Sequence, residues 1–71
     1  MRRPEIQKSI LYVLRREITP LHFTEIKRRV EEILGRKTHN KSIAGALRKL
    51  MDDGLVVKNI INGRVVYSLT R

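Results

Sequence analysis

The chain has no cysteine and no tryptophan, and its aromatics are two Tyr and one Phe. Without cysteine there is no disulfide framework, no thiolate chemistry and no Cys-ligated zinc finger, a frequent design among small basic DNA binders. The fold must hold by packing alone. Apolar runs extend over only a few residues, and Met1-Arg2-Arg3-Pro4 lacks the apolar region of a signal peptide. A cytoplasmic chain with no membrane span is expected. Signals of catalysis are missing too: there is no Gly-rich phosphate loop, no Ser nucleophile elbow, and Asp52-Asp53 are adjacent rather than a separated pair. His22 and His39 lie in different segments, and neither has a partner at zinc-ligand spacing. The expectation is no enzyme activity, no metal, no cofactor and no evident small-molecule ligand.

One further absence carries the argument. Residues 35–51 contain no carboxylate, while Arg36, Lys37, Lys41, Arg48 and Lys49 place five cations there. Within residues 38–54, Ile43, Leu47, Leu50 and Met51 fall at i, i+4, i+7 and i+8, one apolar stripe of an amphipathic helix. At about 100° per residue, Lys41, Ser42, Gly45, Arg48 and Lys49 lie on or beside the opposite face. One side therefore belongs to a core, and the other is small, basic and outward. A helix that enters a groove of DNA has this profile.

What is present bounds the rest. Seventy-one residues, 41% hydrophobic and 32% charged, make one small globular domain spanning 1–71, too small for a substrate cleft with walls of its own. Sixteen Lys and Arg against seven Asp and Glu give +9, which points to a polyanionic partner, nucleic acid first.

Taken in order, Pro4 suits the first helical position and Glu5 the positive end of a helix dipole. Ile6, Ile10, Val13 and Leu14, with Leu11 beside them, stripe a helix over residues 4–17. Ile18-Thr19-Pro20 stops it, and Pro20-Leu21-His22 reads as a short extended piece. A second helix starts near His22 or Phe23, buries Ile26, Val30, Ile33 and Leu34, and ends at Gly35 as a left-handed cap. His22, three residues before Glu25, fits a structural N-cap. Thr38 and Asn40 both qualify as N-cap of the third helix, and Gly54 ends it. Asp52 and Asp53 stand at the negative end of that helix, so Arg48 and Lys49, each four residues back, have ion pairing as a competing use.

Beyond Gly54 the period changes from 3.6 to 2, and two β-rich runs flank Asn62-Gly63, a strong signal for a type I′ hairpin. That turn pairs Ile60 with Val65, Lys58 with Tyr67 and Val56 with Leu69 on one face, leaving Val57, Asn59, Ile61, Val66 and Ser68 on the other. Both faces carry apolar residues. Either a bulge lets the hairpin change faces, or a helix or partner subunit covers the second.

Three helices, a short extended piece after the first, and a C-terminal hairpin predict an α+β fold, a three-helix winged helix-turn-helix with a β-hairpin wing. The sequence also resembles that superfamily locally. Ser42-Ile43-Ala44-Gly45-Ala46-Leu47-Arg48-Lys49-Leu50-Met51-Asp52-Asp53-Gly54-Leu55-Val56 resembles its recognition helix running into the first wing strand, and Val66-Tyr67-Ser68-Leu69-Thr70 its closing strand. Pro20-Leu21-His22-Phe23-Thr24-Glu25-Ile26 is similar to the opening of the HARE-HTH group of restriction and chromatin-associated proteins.

The resemblance implies DNA binding with the third helix in the major groove and the hairpin tip on an adjacent groove or phosphates. Carried onto this chain, it assigns base reading to Lys41, Ser42, Gly45 and Lys49, and phosphates to Arg36, Lys37, Thr38 and Asn40. Side-chain chemistry agrees: Lys donates to guanine O6 and N7, Ser bonds several bases, and Arg and Lys neutralise phosphate. Arg48 joins the phosphate contacts when it is not pairing Asp52. Gly45 costs a helix interior about 1 kcal/mol relative to Ala. Either it lets the helix axis approach DNA closely, or Ala44-Gly45-Ala46 is a small patch packed on another helix. At the wing, Lys58 precedes the turn and Arg64 follows it, and Arg64 suits a minor-groove or phosphate contact.

These readings make a sequence-selective double-stranded DNA binder, a small transcriptional regulator, the leading expectation. A homodimer is expected because one recognition helix makes few base contacts. Its interface would come from the first helix, the Arg2-Arg3 end or the second hairpin face. Two other functions fit the same fold: a protein-interaction module of replication, transcription or chromatin machinery, and a nucleic-acid binder driven by charge alone.

Overall fold

The computed structural model describes residues 3–70, so Arg2, named above as a candidate dimer contact, lies outside the described residues. Helix α1 spans Glu5–Arg16, one residue shorter at each end than the 4–17 expected. Pro4 is its N-cap, accepting from the Lys8 N–H, and Glu17 is already extended. Ile10, Val13 and Leu14 are buried, with Ile6 and Leu11 partly so. Helix α2 spans Phe23–Leu34 and α3 spans Asn40–Asp52; strands β1, Val56–Ile61, and β2, Arg64–Leu69, follow.

The core lies where the three helices meet the root of the hairpin. Ile10, Ile26, Val30, Ile43, Leu47 and Leu50 are its most deeply buried side chains, closed by Leu21 and Val56. Ala46 joins them, a burial the large-residue stripe does not show. Ile33 departs from expectation: it stands about half exposed beside Tyr12 in a shallow groove between α1 and α2.

Helix ends follow their sequence signals at the C-termini and depart from them at the N-termini. Gly35 takes φ 71° and donates to Glu31 O, as a left-handed cap should. At the end of α3, Gly54 has φ 76°, its N–H donates to Met51 O, and the Leu55 N–H donates to Leu50 O, a complete Schellman closure. His39, rather than Thr38 or Asn40, occupies the N-cap of α3, and its side chain makes no capping bond. Thr38 is diverted to α2, where its N–H donates to Glu31 Oε2 at 2.7 Å. His22 is the N-cap residue of α2 by backbone but does not cap it with its ring. Its Nδ1–H instead donates to Val65 O at 3.2 Å, a bond that no local pattern signals.

The hairpin has the expected register, Val56↔Leu69, Lys58↔Tyr67 and Ile60↔Val65, with Asn62 and Gly63 at φ 53° and 76° as a type I′ turn requires. Pairing runs unbulged. Leu21 adds a one-residue bridge on the outer edge of β2, with N–H to O bonds of 3.0 and 2.8 Å to Tyr67. The flanking Pro20 and His22 then stand beside Val66 and bury it. The extended piece of chain, not a bulge or a partner, accounts for Val66. Val57 and Ile61 remain open.

Candidate nucleic-acid interface

Packing turns α3 so that Ile43, Ala46, Leu47 and Leu50 face the core, and Asn40, Lys41, Ser42, Ala44, Gly45, Arg48 and Lys49 face solvent. Lys41, Ser42, Gly45 and Lys49, the residues expected to read bases, thus share the outer side of one helix. Arg36 and Lys37 are exposed in the loop that leads into it. Thr38 is half-buried against Glu31, which leaves its hydroxyl less free for phosphate than the sequence suggested. Lys58 and Arg64 stand exposed on the hairpin, separated from α3 by the strand root.

Among the described residues, Lys37, Lys41, Arg48, Lys58 and Arg64 make no ion pair within 4.0 Å, whereas Lys49 Nζ lies 3.4 Å from Asp53 Oδ1. Of the two cations with a competing use, Lys49 is therefore the engaged one. Arg3 takes the other Asp53 oxygen at 2.7 Å, and chiefly that guanidinium, helped by Lys49, holds the Asp53 carboxyl below its ordinary range despite some desolvation. Arg36 pairs loosely with Glu5 at 3.8 Å. Exposed pairs of this kind contribute about 0–1 kcal/mol and yield readily to a phosphate. The carboxylates of α2 are more fully committed: Glu25 pairs with Arg28 and Arg29, and Arg29 also reaches Glu17 of the α1 terminus at 2.8 Å. Asp52, exposed at the C-terminal end of α3 and without an ion pair among the described residues, is the acidic group that stays beside the outer face of that helix.

Glu31 is the support that sequence reading missed. Its carboxylate accepts the Thr38 N–H, with Lys27 at 3.9 Å, and the first of these is the main reason its pKa is depressed. This clamp ties the end of α2 to the entry of α3. A group whose pKa is lower folded than unfolded stabilises the fold above its unfolded pKa and loses that contribution as pH falls through the folded value. Thermal unfolding followed from neutral to acid pH is expected to show Tm falling below the ordinary carboxylate range. Glu31→Gln should start lower at neutral pH and fall less steeply; an unchanged slope would remove Glu31 from the account.

Gly45 has ordinary helical backbone, and a Cβ added there would meet nothing within 4 Å. Packing of Ala44-Gly45-Ala46 on another helix of this chain is thus not what requires the glycine. Gly45→Ala should raise stability by about 0.5–1 kcal/mol, because it removes backbone freedom from the unfolded state without a clash. If the bare surface admits DNA closely, the same change weakens binding. Urea unfolding and a DNA titration of this variant are expected to move in opposite directions, and a gain in both would exclude close approach at Gly45.

No helix is long and apolar enough to cross a membrane among the described residues. No protein-family model and no curated protein sequence matches the chain. Solved structures do. RosR of H. salinarum, in crystals grown from NaBr, is 32% identical over 96% of this chain and 61% of its own, with a TM-score of 0.83. The complex RosR-S4 gives 33% identity, 97% and 59% coverage and a TM-score of 0.85. The Vibrio cholerae ferric uptake regulator Fur, described as having DNA-binding domains, is 20% identical over 100% of this chain and 55% of its own, with a TM-score of 0.80. This chain spans about three fifths of the RosR chains it matches. Three helices closed by an antiparallel hairpin, superposing on RosR and Fur over nearly all of its length, give the chain the winged-helix fold.

Proposed function

We propose that the chain is the sequence-selective DNA-binding domain of a small transcriptional regulator, with α3 in the major groove and the hairpin as wing. The observation that carries this is the outer side of α3: exposed Lys41, Ser42, Gly45, Arg48 and Lys49 in a stretch without carboxylates, backed by a rigid apolar core. Lys41, Ser42, Gly45 and Lys49 read bases; Arg36, Lys37, Thr38, Asn40, Arg48, Lys58 and Arg64 serve phosphates or a groove. Similarity to RosR, seen in several complexes, and to a Fur described by its DNA-binding domains supports the same reading. The narrower HARE-HTH likeness has only residues 20–26 in its support. No catalytic or cofactor role is proposed, and the working compartment is the cytoplasm.

The functional unit is a homodimer reading two half-sites. Half-exposed Tyr12 and Ile33, side by side between α1 and α2, support α1 as its interface over the hairpin face, part of which Pro20 and His22 already cover. Selection from a random duplex pool, followed by anisotropy titration at low and physiological salt, tests the whole reading. A palindrome bound about 10³-fold or more above scrambled DNA is expected. Binding without enrichment, lost steeply with salt, would leave a charge-driven coat with +9 as its sole cause.

A further inference from the structure

The hairpin runs from a buried root to a bare tip. Val56 is 2% exposed, whereas Ile60, on the same face of β1, is 72% exposed and its cross-strand partner Val65 is 41% exposed. Ile61, on the opposite face beside the turn, is 48% exposed. Antiparallel pairing continues out to Ile61↔Arg64, and the type I′ turn closes it, so the tip is a short braced blade. The His22 bond to Val65 O and the Leu21 bridge to Tyr67 hold the blade to the start of α2. Folding gives no reason for this composition. Strand preference would be met equally by Thr, and an exposed Ile forgoes the burial that makes it useful in a core.

Charge selects the occupant. Residues 54–71 contain no carboxylate, Lys58 shares the face of Ile60, and Arg64 shares that of Ile61. An apolar blade with a cation on each face suits a groove walled by phosphates and floored by sugars and base edges. A second copy of the chain suits it poorly, since self-pairing would bring Lys58 and Arg64 against their equivalents on a body of net charge +9.

We propose that the hairpin tip is a minor-groove wedge: Ile60 enters between base steps, unstacks them and bends the duplex. The protein thereby reads the deformability of steps flanking the site that α3 contacts. This inference rests on the DNA-binding reading above. Pyrimidine–purine steps unstack at least cost and A-tracts resist, so TA or CA steps under the wing should be preferred without any base-specific hydrogen bond there.

The test uses end-labelled duplexes of about 30 bp built on the enriched site, one with TA and CA steps beside it and one with an A-tract there. End-to-end energy transfer reports bending, and 2-aminopurine at the flanking step reports unstacking. The unsubstituted protein should bend the first duplex, raise its 2-aminopurine fluorescence and bind it about tenfold more tightly than the A-tract. Ile60→Ser should abolish the fluorescence rise and erase that preference while still binding DNA, and Ile60→Leu should restore both. Since Ile60 is exposed, an unchanged urea midpoint checks that the Ser variant folds. Failure of the unsubstituted protein to bind any duplex would overturn the DNA-binding reading and the wedge together. Binding without a fluorescence rise, or a rise unaffected by Ile60→Ser, would overturn the wedge alone. So would a lower sedimentation mass of DNA-free Ile60→Ser, which would assign the tip to self-association.

Discussion

Leu50→Ala is expected to cost about 2–5 kcal/mol of folding stability, the largest effect of any single change considered for this chain. Leu50 is fully buried on the core side of α3, and its carbonyl also accepts the Leu55 N–H that closes the helix. Truncation leaves the carbonyl in place but opens a cavity in the core, and a small domain has few side chains able to relax into it. A chain of 71 residues has a total stability of roughly 4–10 kcal/mol, so the variant should be partly unfolded at physiological temperature. Urea unfolding at constant m-value measures it. A loss below about 1 kcal/mol would show that the site collapses or that Leu50 is not the centre of the core. Because the same side chain orients α3, DNA affinity of the folded fraction should fall as well.

The second result concerns Lys41 and Lys49. If they read bases, Lys41→Ala and Lys49→Ala should each weaken the enriched duplex by about 1–3 kcal/mol while leaving scrambled DNA nearly unchanged. If they touch phosphate, every duplex weakens alike and the salt slope shrinks by about one ion per substitution. The structure separates the two positions. Lys41 makes no ion pair among the described residues, so its loss is free of intramolecular consequence, whereas Lys49→Ala also releases Asp53. Asp53 keeps Arg3, and the pair with Lys49 is exposed, so the change in stability should stay below about 1 kcal/mol. Lys49→Ala paired with Asp53→Asn distinguishes lost DNA contact from a freed carboxylate: if the double variant recovers affinity, Asp53 repulsion was the cause.

Several features of this protein were determined by the sequence itself, because each rests on residues close together in the chain. The spacing of Ile43, Leu47 and Leu50 determines which side of α3 is buried, since helical geometry leaves no other arrangement. Asn62-Gly63 sets the hairpin register, because a two-residue type I′ turn permits only one pairing of the strands. Gly35 and Gly54 end their helices where left-handed backbone is needed. The cluster of cations without acids around α3 is likewise a property of a contiguous stretch.

Tertiary structure decided what depends on segments far apart in sequence. Thr38, suited by type to cap α3, spends its N–H on Glu31 because the connection folds back onto α2. His22 turns from its own helix to Val65, and Pro20 and His22 stand beside Val66, whose burial period-2 patterning could only pose as a choice between a bulge, a covering helix and a partner. Ile33 shares the spacing of its helix's apolar stripe and yet stands about half exposed beside Tyr12. Asp53 takes Arg3 from another part of the chain, a partner that helix spacing alone does not give it. In each case a polar group or an apolar edge had more than one local solution of similar energy, and only packing against a remote segment chose between them.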